Sequence, residues 1–410
     1  MEVNMISYQQ AMQLIRDTAK PIPSEDVALE RALSRISASE VRSSINLPPF
    51  NNSAMDGFAV NSNTTLNASE NNPVILQVSD VLPAGSNLDN LVAGEACAIM
   101  TGAPVPDCYD AVVQIENVVI TTTDTGHQIR LTSPVEQFEN MRFAGEDVEL
   151  NQPILTKGQK IRPQDIMLLA ACGISSLQVY SNITIAIATS GEEISDNYDQ
   201  PLEFGQIYNA NAPLLQNLAN NIPCEAHYAG IIGDNQHALL EFINQNPQQI
   251  LITTGAVSMG DWDFIPQTLK QLGAEIIFHK TAIRPGKPIL FAILPDGRYF
   301  FGLPGNPVSS FVGWRFFVVP LLRALLGLGA EKTSIAIARN QFHKKHKLRQ
   351  FLKANLLIDD GVAAITINNG QESFKISPLT TSNVWAISLE EQQINSGDKV
   401  QFIPLLPDWQ

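Results

Sequence analysis

Two short stretches carry residues whose types and spacing suit the holding of anions: Ile283-Arg284-Pro285-Gly286-Lys287-Pro288 and, further on, Gly302-Leu303-Pro304-Gly305-Asn306-Pro307-Val308-Ser309. The first sets two cations on a loop stiffened by prolines. The second ends a strand in a Gly-Asn-Pro turn and opens a helix, with Asn306 at the N-cap and Pro307 at N1, where backbone N–H groups face outward. Further loops bring carboxylates: Ser190-Gly191-Glu192-Glu193, the run from Thr253-Thr254-Gly255 to Asp263, and Asn52-Ser53-Ala54-Met55-Asp56-Gly57. Carboxylates from separate loops beside a rigid cationic corner suggest Mg²⁺ held against a phosphate-bearing substrate. Hard oxygen ligands suit Mg²⁺, and fixed cations neutralise phosphate or oxyanion charge.

Each loop taken alone has a plainer account. Thr189 to Asp196 reads as a solvated acidic loop, Asp263 as the N-cap of the next helix, and Asp56-Gly57 as a turn. The Gly-rich part around Gly255 could let backbone approach a phosphate. Arg284 and Lys287 could be surface charges, but the prolines around them imply a fixed geometry that a solvated loop does not need. His279, alone at a strand end, reads as structural. No Ser-His-Asp or Cys-His arrangement is evident, which argues against a protein nucleophile.

What positions these loops is an alternation of strands and helices from Ile183 onward. Strands are expected at Ile183 to Ala188, Ala226 to Ile232, Ile250 to Thr253, Ile276 to Phe278, Pro288 to Leu294 and Tyr299 to Leu303. Helices are expected at Ala212 to Asn220, His237 to Asn244 and Asp263 to Leu272. That pattern implies βαβ units and a mostly parallel sheet covered on both faces, with ligands beyond the carboxyl ends of its strands. Residues 5 to 43 read as helical, in two amphipathic segments broken at Pro21 and Pro23, the first opened by a Ser7/Gln10 capping box. Residues 58 to 140 alternate short β runs with turns, and the chain after 330 reverts to short strands with Asp-Gly and Asn-Gly turns. The expected fold class is multidomain α/β. A helical segment spans 1–45 and 141–178, a β-rich insertion 46–140, a three-layer α/β domain 179–329 and a small C-terminal β-barrel or sandwich 330–410, of which the resemblance described below implies the β-barrel.

The totals exclude other classes. A net charge of −15 argues against wholesale nucleic-acid binding, which needs a basic face. Cys97, Cys108, Cys172 and Cys224 form no C-x-x-C pair, so neither a disulfide framework nor a structural zinc site is expected. The apolar run Phe311 to Leu328 contains Arg315, Pro320 and Arg323 and reads as a buried core helix, not a membrane span. The N-terminus lacks a secretory pattern, and a cytoplasmic location is expected.

Taken in order, these loops resemble the molybdopterin molybdenumtransferase family, the molybdenum insertases. The matching stretches also include Thr101-Gly102-Ala103-Pro104-Val105-Pro106, Arg142 with Gly145-Glu146-Asp147, Gly205-Gln206-Ile207-Tyr208 and Val257-Ser258-Met259-Gly260. The resemblance implies an elongated homodimer and a reaction: molybdate enters the dithiolene of adenylylated molybdopterin with Mg²⁺, releasing AMP and molybdenum cofactor. An adenylyltransferase partner would supply the substrate. It further implies that Asp56, Glu193, Asp234 and Asp263 are the active carboxylates, with Glu193 and Asp263 on the metal. Substrate would be bound by Thr101, Ser190, Gly191, Thr254, Gly255, Ser258, Pro304, Gly305, Asn306 and Ser309. Arg284, Lys287, Pro288, Lys353 and Ser373 would hold molybdate.

The chain departs from the family pattern in places. Asn51 stands for Asp, Ala256 for Gly, Arg284 for a frequent Lys, Lys353-Ala354 for Arg-Gly, and Gln371-Glu372-Ser373 for Gln-Gly-Ser. Glu372 adds negative charge near the expected oxyanion site. A nucleotide pyrophosphatase on the same α/β domain, and a non-catalytic molybdopterin-binding scaffold, are the alternative readings.

Overall fold

The structure is a computed structural model that describes residues 5–92, 94–124, 126–220, 224–255, 264–407 and 409. Asp263 and Ser258, both expected in the site, lie outside the described residues, as does Ala256.

The first helix, α1 (Tyr8–Thr18), opens as expected: Gln10 N donates to Ser7 Oγ at 3.2 Å and Ser7 N to Gln10 Oε1 at 2.9 Å. The second expected helical segment does not form. Ser24–Ala28 is instead a strand, paired antiparallel with Ser176–Tyr180, and only Leu29–Arg31 keeps a single 3₁₀ turn. Pro21 and Pro23 remove backbone donors ahead of this segment, and strand pairing then overrides its local helix preference. Val41–Arg42 likewise pairs with Pro153–Leu155, next to the helix Pro163–Ala171.

In the insertion, Ala111–Gln114, Gly57–Val60, Ala96–Ile99, Val74–Leu82, Gly126–Leu131 and Val119–Thr123 lie side by side in that order. Only the Val74–Leu82 and Ala96–Ile99 pair runs parallel, so this sheet is mostly antiparallel.

The central sheet comprises Ile183–Ser190 (β1), Cys224–Ile232 (β2), Ile250–Thr254 (β3), Glu275–His279 (β4), Leu290–Ile293 (β5) and Tyr299–Leu303 (β6), in the spatial order β2-β1-β3-β6-β5-β4. The first four in that order run parallel, and β5 and β4 are antiparallel additions at one edge. β5 and β6 are joined by a tight turn in which Gly297 N donates to the Leu294 carbonyl at 2.8 Å. A connection that short permits only an antiparallel pair.

Alternation along β1 divides the core. Ile183, Ile185 and Ile187 pack on one face with α1 and the long helical run Pro307–Leu325; Ala186 and Ala188 pack on the other with Leu239 and Phe242 of the helix Gln236–Gln245 and with Ile265 and Leu269 of Phe264–Leu272. Side chains alternate faces with period two, so bulk is sorted strand by strand. The run Pro307–Leu325 is 89% buried, as expected of a core helix. Pro320 has no N–H to offer the preceding turn, and the helix widens to a π-turn over Trp314–Val318 just ahead of it.

The C-terminal strands Arg349–Asp359, Val362–Ile367, Ser334–Ala338, Lys399–Pro404 and Val384–Ser388 pair in sequence, and the last closes back on the first to make a five-stranded barrel. A short strand from the cationic loop, Ile283–Arg284, adds in parallel to Arg349–Gln350 and so ties the loop to the barrel.

Candidate active site

The carboxyl ends of β1, β3 and β6 meet in a pocket of about 400 Å³. Its walls include Ser190, Gly191, Glu193, Asp234, Thr254, Gly255, Gly305 and Asn306, eight of the expected residues brought together from four loops. Two glycines are required by this geometry. A Cβ on Gly255 would lie 2.3 Å from the Ser190 carbonyl oxygen, and the residue has φ +93°; a Cβ on Gly191 would meet the Glu193 carboxylate at 2.7 Å, with φ +144°. Only glycine allows both the left-handed backbone and the approach.

The floor is a polar network. Ser190 Oγ donates to Asp234 Oδ1, which fixes that carboxylate against the β1 end. Asn209 Nδ2 donates to Asp196 Oδ1 at 2.7 Å and to Tyr228 OH at 2.9 Å, and Tyr228 OH donates to Asp196 Oδ2 at 2.7 Å. Burial pushes the Tyr228 phenol well above its ordinary range, with the Asp196 carboxylate adding to the shift, so it stays a hydrogen-bond donor. Asn211 Nδ2 donates to the Gly305 carbonyl at 2.7 Å, tying the helix Asn211–Asn220 to the Gly-Asn-Pro turn. The buried oxygens Asn211 Oδ1 and Thr254 Oγ1 have no hydrogen-bond partner among the described residues. Buried polar atoms are ordinarily paired, and this unpaired pair on a pocket wall suits a ligand carrying donors.

Asn306 takes the N-cap position with Pro307 at N1, as expected, but its side chain makes no capping bond. Its position on the pocket wall replaces that role. The first N–H of the helix, from Val308, goes instead to the Ser373 carbonyl of the barrel at 3.3 Å.

The remaining expected residues lie elsewhere. Asp56 accepts from Thr101 N at 2.7 Å and from Thr101 Oγ1 at 2.9 Å, bonds that hold its carboxyl below the usual range. This exposed pair sits in the insertion and lines neither the pocket nor the cavity described next. Arg284 lines a second cavity, about 270 Å³, between the cationic loop and the barrel. Lys287, Pro288, Pro304 and Ser309 line neither. Lys353 is buried, and its Nζ donates to the carbonyls of Gly370, Glu372 (3.2 Å) and Lys375 (2.9 Å). Burial lowers that ammonium to about 8. Its donors are used inside the barrel and do not point to an oxyanion. Glu372 pairs with Lys375 at 3.3 Å.

Asn209 and Asn211 were not among the expected site residues. Their signal was an Asn-Ala-Asn at a helix start, which capping alone explains. No group of three or more His, Cys, Asp or Glu side chains is gathered for a metal among the described residues. Glu193, on the pocket lining, nevertheless suits Mg²⁺, which takes one or two carboxylates and fills its shell with water and substrate phosphate.

A mostly parallel sheet with a pocket at its strand ends, joined to a closed barrel and a β insertion, defines a multidomain α/β protein. Residues 6–173 match the model of the MoeA N-terminal region (domain I and II), and residues 186–324 match that of a probable molybdopterin binding domain. The chain is 35% identical over 391 residues to the molybdopterin molybdenumtransferase of Synechococcus elongatus, covering 93% of this chain and 95% of that protein. It is 32% identical over 385 residues to the Staphylococcus aureus protein of the same name, covering 93% and 90%. The crystal structure of a molybdopterin biosynthesis MoeA protein from Pyrococcus horikoshii superposes with a TM-score of 0.82 at 28% identity, covering 99% of this chain and all of that one. The chain belongs to the molybdopterin molybdenumtransferase family, the transferases of molybdenum cofactor biosynthesis.

Proposed function

We propose that the protein inserts molybdate into the dithiolene of adenylylated molybdopterin, releasing AMP and molybdenum cofactor. The observation that carries this reading is the placing of Glu193 and Asp234 on one pocket with the Ser190-Gly191 and Gly305-Asn306 turns. Backbone at such turns can approach a phosphoanhydride closely, and the pocket's unpaired oxygens on Asn211 and Thr254 can accept from a pterin's ring donors. The thiolates that receive the metal belong to the substrate. That agrees with four cysteines that share no disulfide: Cys97 and Cys172 are buried, Cys224 is half-buried and Cys108 is exposed.

Glu193 would hold Mg²⁺, with Asp263 as a second ligand, and the ion would neutralise charge on the departing phosphate. Asp234, held by Ser190, would orient the same end of the substrate. The Asp56–Thr101 pair would reach the pocket from a second copy of the chain in a homodimer, since it is exposed and lines neither of the two cavities of its own subunit described above. The substrate would come from an adenylyltransferase.

The test is AMP release from adenylylated molybdopterin with Mg²⁺, with and without molybdate. Release that depends on molybdate is expected. Release indifferent to molybdate would replace this reading with a pyrophosphatase, and tight binding without release would leave a carrier.

A further inference from the structure

Five large apolar or aromatic side chains on one strap beside the sheet pocket stand exposed: Tyr198, Leu202, Phe204, Ile207 and Tyr208. Phe204 is fully exposed, and Ile207 and Tyr208 line the pocket itself. The strap connects Ile194–Ser195 to Ile207–Tyr208, two short strands that pair in parallel. A parallel pair needs a crossover between its strands, so the chain leaves the pocket rim and returns to it. The turns of the strap are set by its own polar side chains: Asp199 N donates to Asn197 Oδ1 at 3.2 Å, and Glu203 N to Gln206 Oε1 at 3.0 Å. Ile207 N then donates to the Glu193 carbonyl at 2.8 Å, which joins the returning strand to the residue expected on the metal.

Tyr208 is built as a shelf. Its OH donates to the Gln200 carbonyl at 2.7 Å, and its ring centre lies 5.8 Å from that of Tyr198, with the planes 32° apart. Tyr198 is tethered in turn, its OH donating to the Asn209 carbonyl at 2.7 Å. Both rings are therefore held at their tips, yet Tyr208 stays 40% exposed on the pocket wall. Exposed apolar surface rimmed by polar groups marks a place where something binds. A second observation restricts what that is: among its described residues the pocket wall carries Glu193 and Asp234 but no lysine or arginine. A metal ion can neutralise a phosphate there, but the rest of the ligand must be held by uncharged contacts. A fixed aromatic face on the rim offers such a contact to a planar ring.

We infer that Tyr208 stacks on the adenine ring of the substrate, with Tyr198 as a positioning residue behind it, and that this contact holds the nucleotide half of the molecule at the pocket rim. Stacking needs only a π-face, so it grips the base without reading its edge. The choice of adenine rests on the function proposed above. There the buried oxygens of Asn211 and Thr254 take the ring donors of the pterin, which leaves the exposed shelf to the other planar ring. The shelf itself does not depend on that reading.

The experiment is calorimetric titration of the full-length protein with AMP in the presence of Mg²⁺, for the wild type and for variants at Tyr208, Tyr198 and Phe204. Tyr208→Ala is expected to weaken AMP binding on the order of tenfold, the size of one lost base–aromatic stack. Tyr208→Phe keeps the ring and gives up only the bond to the Gln200 carbonyl, so its loss should be about threefold. Tyr198→Ala should weaken binding by a smaller factor than Tyr208→Ala, and Tyr198→Phe should restore it, which separates support of the ring from the tether at its tip. Phe204→Ala, on the same strap but off the pocket wall, should bind AMP as the wild type does. Molybdopterin binding, measured in parallel, should hold at the wild-type value in Tyr208→Ala and so show that the fold is intact. In the same variant KM for adenylylated molybdopterin should rise with kcat unchanged, as for a contact made equally in the ground and transition states. Unchanged AMP affinity in Tyr208→Ala overturns the assignment, as does a wild type that binds no AMP. A loss confined to molybdopterin also overturns it and gives the shelf to the pterin. A wild type that binds AMP through Tyr208 but releases none from adenylylated molybdopterin would refute the proposed reaction and leave the shelf standing.

Discussion

The pocket over the central sheet and the cavity against the barrel differ in what holds them open. The pocket over the central sheet is walled by strand ends whose backbone is set by packing directly beneath: Ile185, Ile187, Ile250 and Ile252 are fully buried. The cavity against the barrel is walled by exposed basic side chains and exists only because two separate units meet there. That junction runs through the Ile283–Arg284 ladder, the Val308 bond to the Ser373 carbonyl, and Arg315. Arg315 is 2% exposed, pairs bidentately with Glu331 at 2.7 Å through both nitrogens, and donates to the Pro404 carbonyl of the barrel. The first site is a property of one sheet; the second is a property of a joint. Damage to either should therefore leave the other measurable.

The largest separation is expected from Glu193→Gln. Loss of the charge that would hold the metal should lower molybdate-dependent AMP release on the order of 100-fold or more. Molybdate binding measured by titration should stay at the wild-type value, since Glu193 lines only the sheet pocket. A parallel loss of molybdate affinity would break the comparison and merge the two sites. Arg315→Met acts on the joint. Removing one partner of a buried, hydrogen-bonded ion pair costs about 3 kcal/mol, which urea unfolding would read directly. Molybdate affinity should fall with it while molybdopterin binding persists. If pterin binding falls equally, the barrel and the sheet do not behave as distinct supports.

The same contrast explains what could be read from the sequence. The sheet pocket was legible because its parts are local: glycines at Gly191 and Gly255, a carboxylate at Glu193, and an Asn-Pro helix start each leave a mark within a few residues. The central strands were legible for the same reason, through their apolar runs. Residues 24–28 were not, since their conformation is decided by a partner strand at 176–180 that no local pattern announces. The antiparallel edge of the sheet was also missed, because the hairpin between β5 and β6 was read as two strands without their direction. The barrel cavity was the least legible. Nothing in the spacing says that Arg284 will face a basic run some sixty residues later, or that Lys353 will point its ammonium at its own barrel's carbonyls.

Lys353 gives a third, intermediate test. Lys353→Met removes the donors from three carbonyls and should cost about 2 kcal/mol of stability. It should raise the molybdate requirement only a few-fold, through a looser 370–375 loop, whereas abolished molybdate binding would restore Lys353 as a direct contact. A pH series sharpens this. Burial holds the Lys353 ammonium near about 8, below its ordinary 10.5, so the unfolded chain binds the extra proton between those values. The penalty for keeping it charged is fully present below pH 8 and is relieved as pH rises toward 10.5. The wild type should gain stability across that window relative to Lys353→Met.

The smallest effect should come from Glu372→Gly. Its carboxylate lines the barrel cavity but is exposed and paired with Lys375 at 3.3 Å, so most of its field is already screened by solvent and by that partner. Replacing it should improve molybdate affinity by about twofold at low salt, and the gain should vanish near 1 M salt, where the Debye length is about 3 Å. The substitution also releases Lys375, which adds a cation near the cavity, so the direction of the change is the same by both routes. A loss of affinity would mean that the Glu372–Lys375 pair supports the loop whose carbonyls hold Lys353. In that case the joint, and not the charge on its surface, would set how tightly molybdate is held.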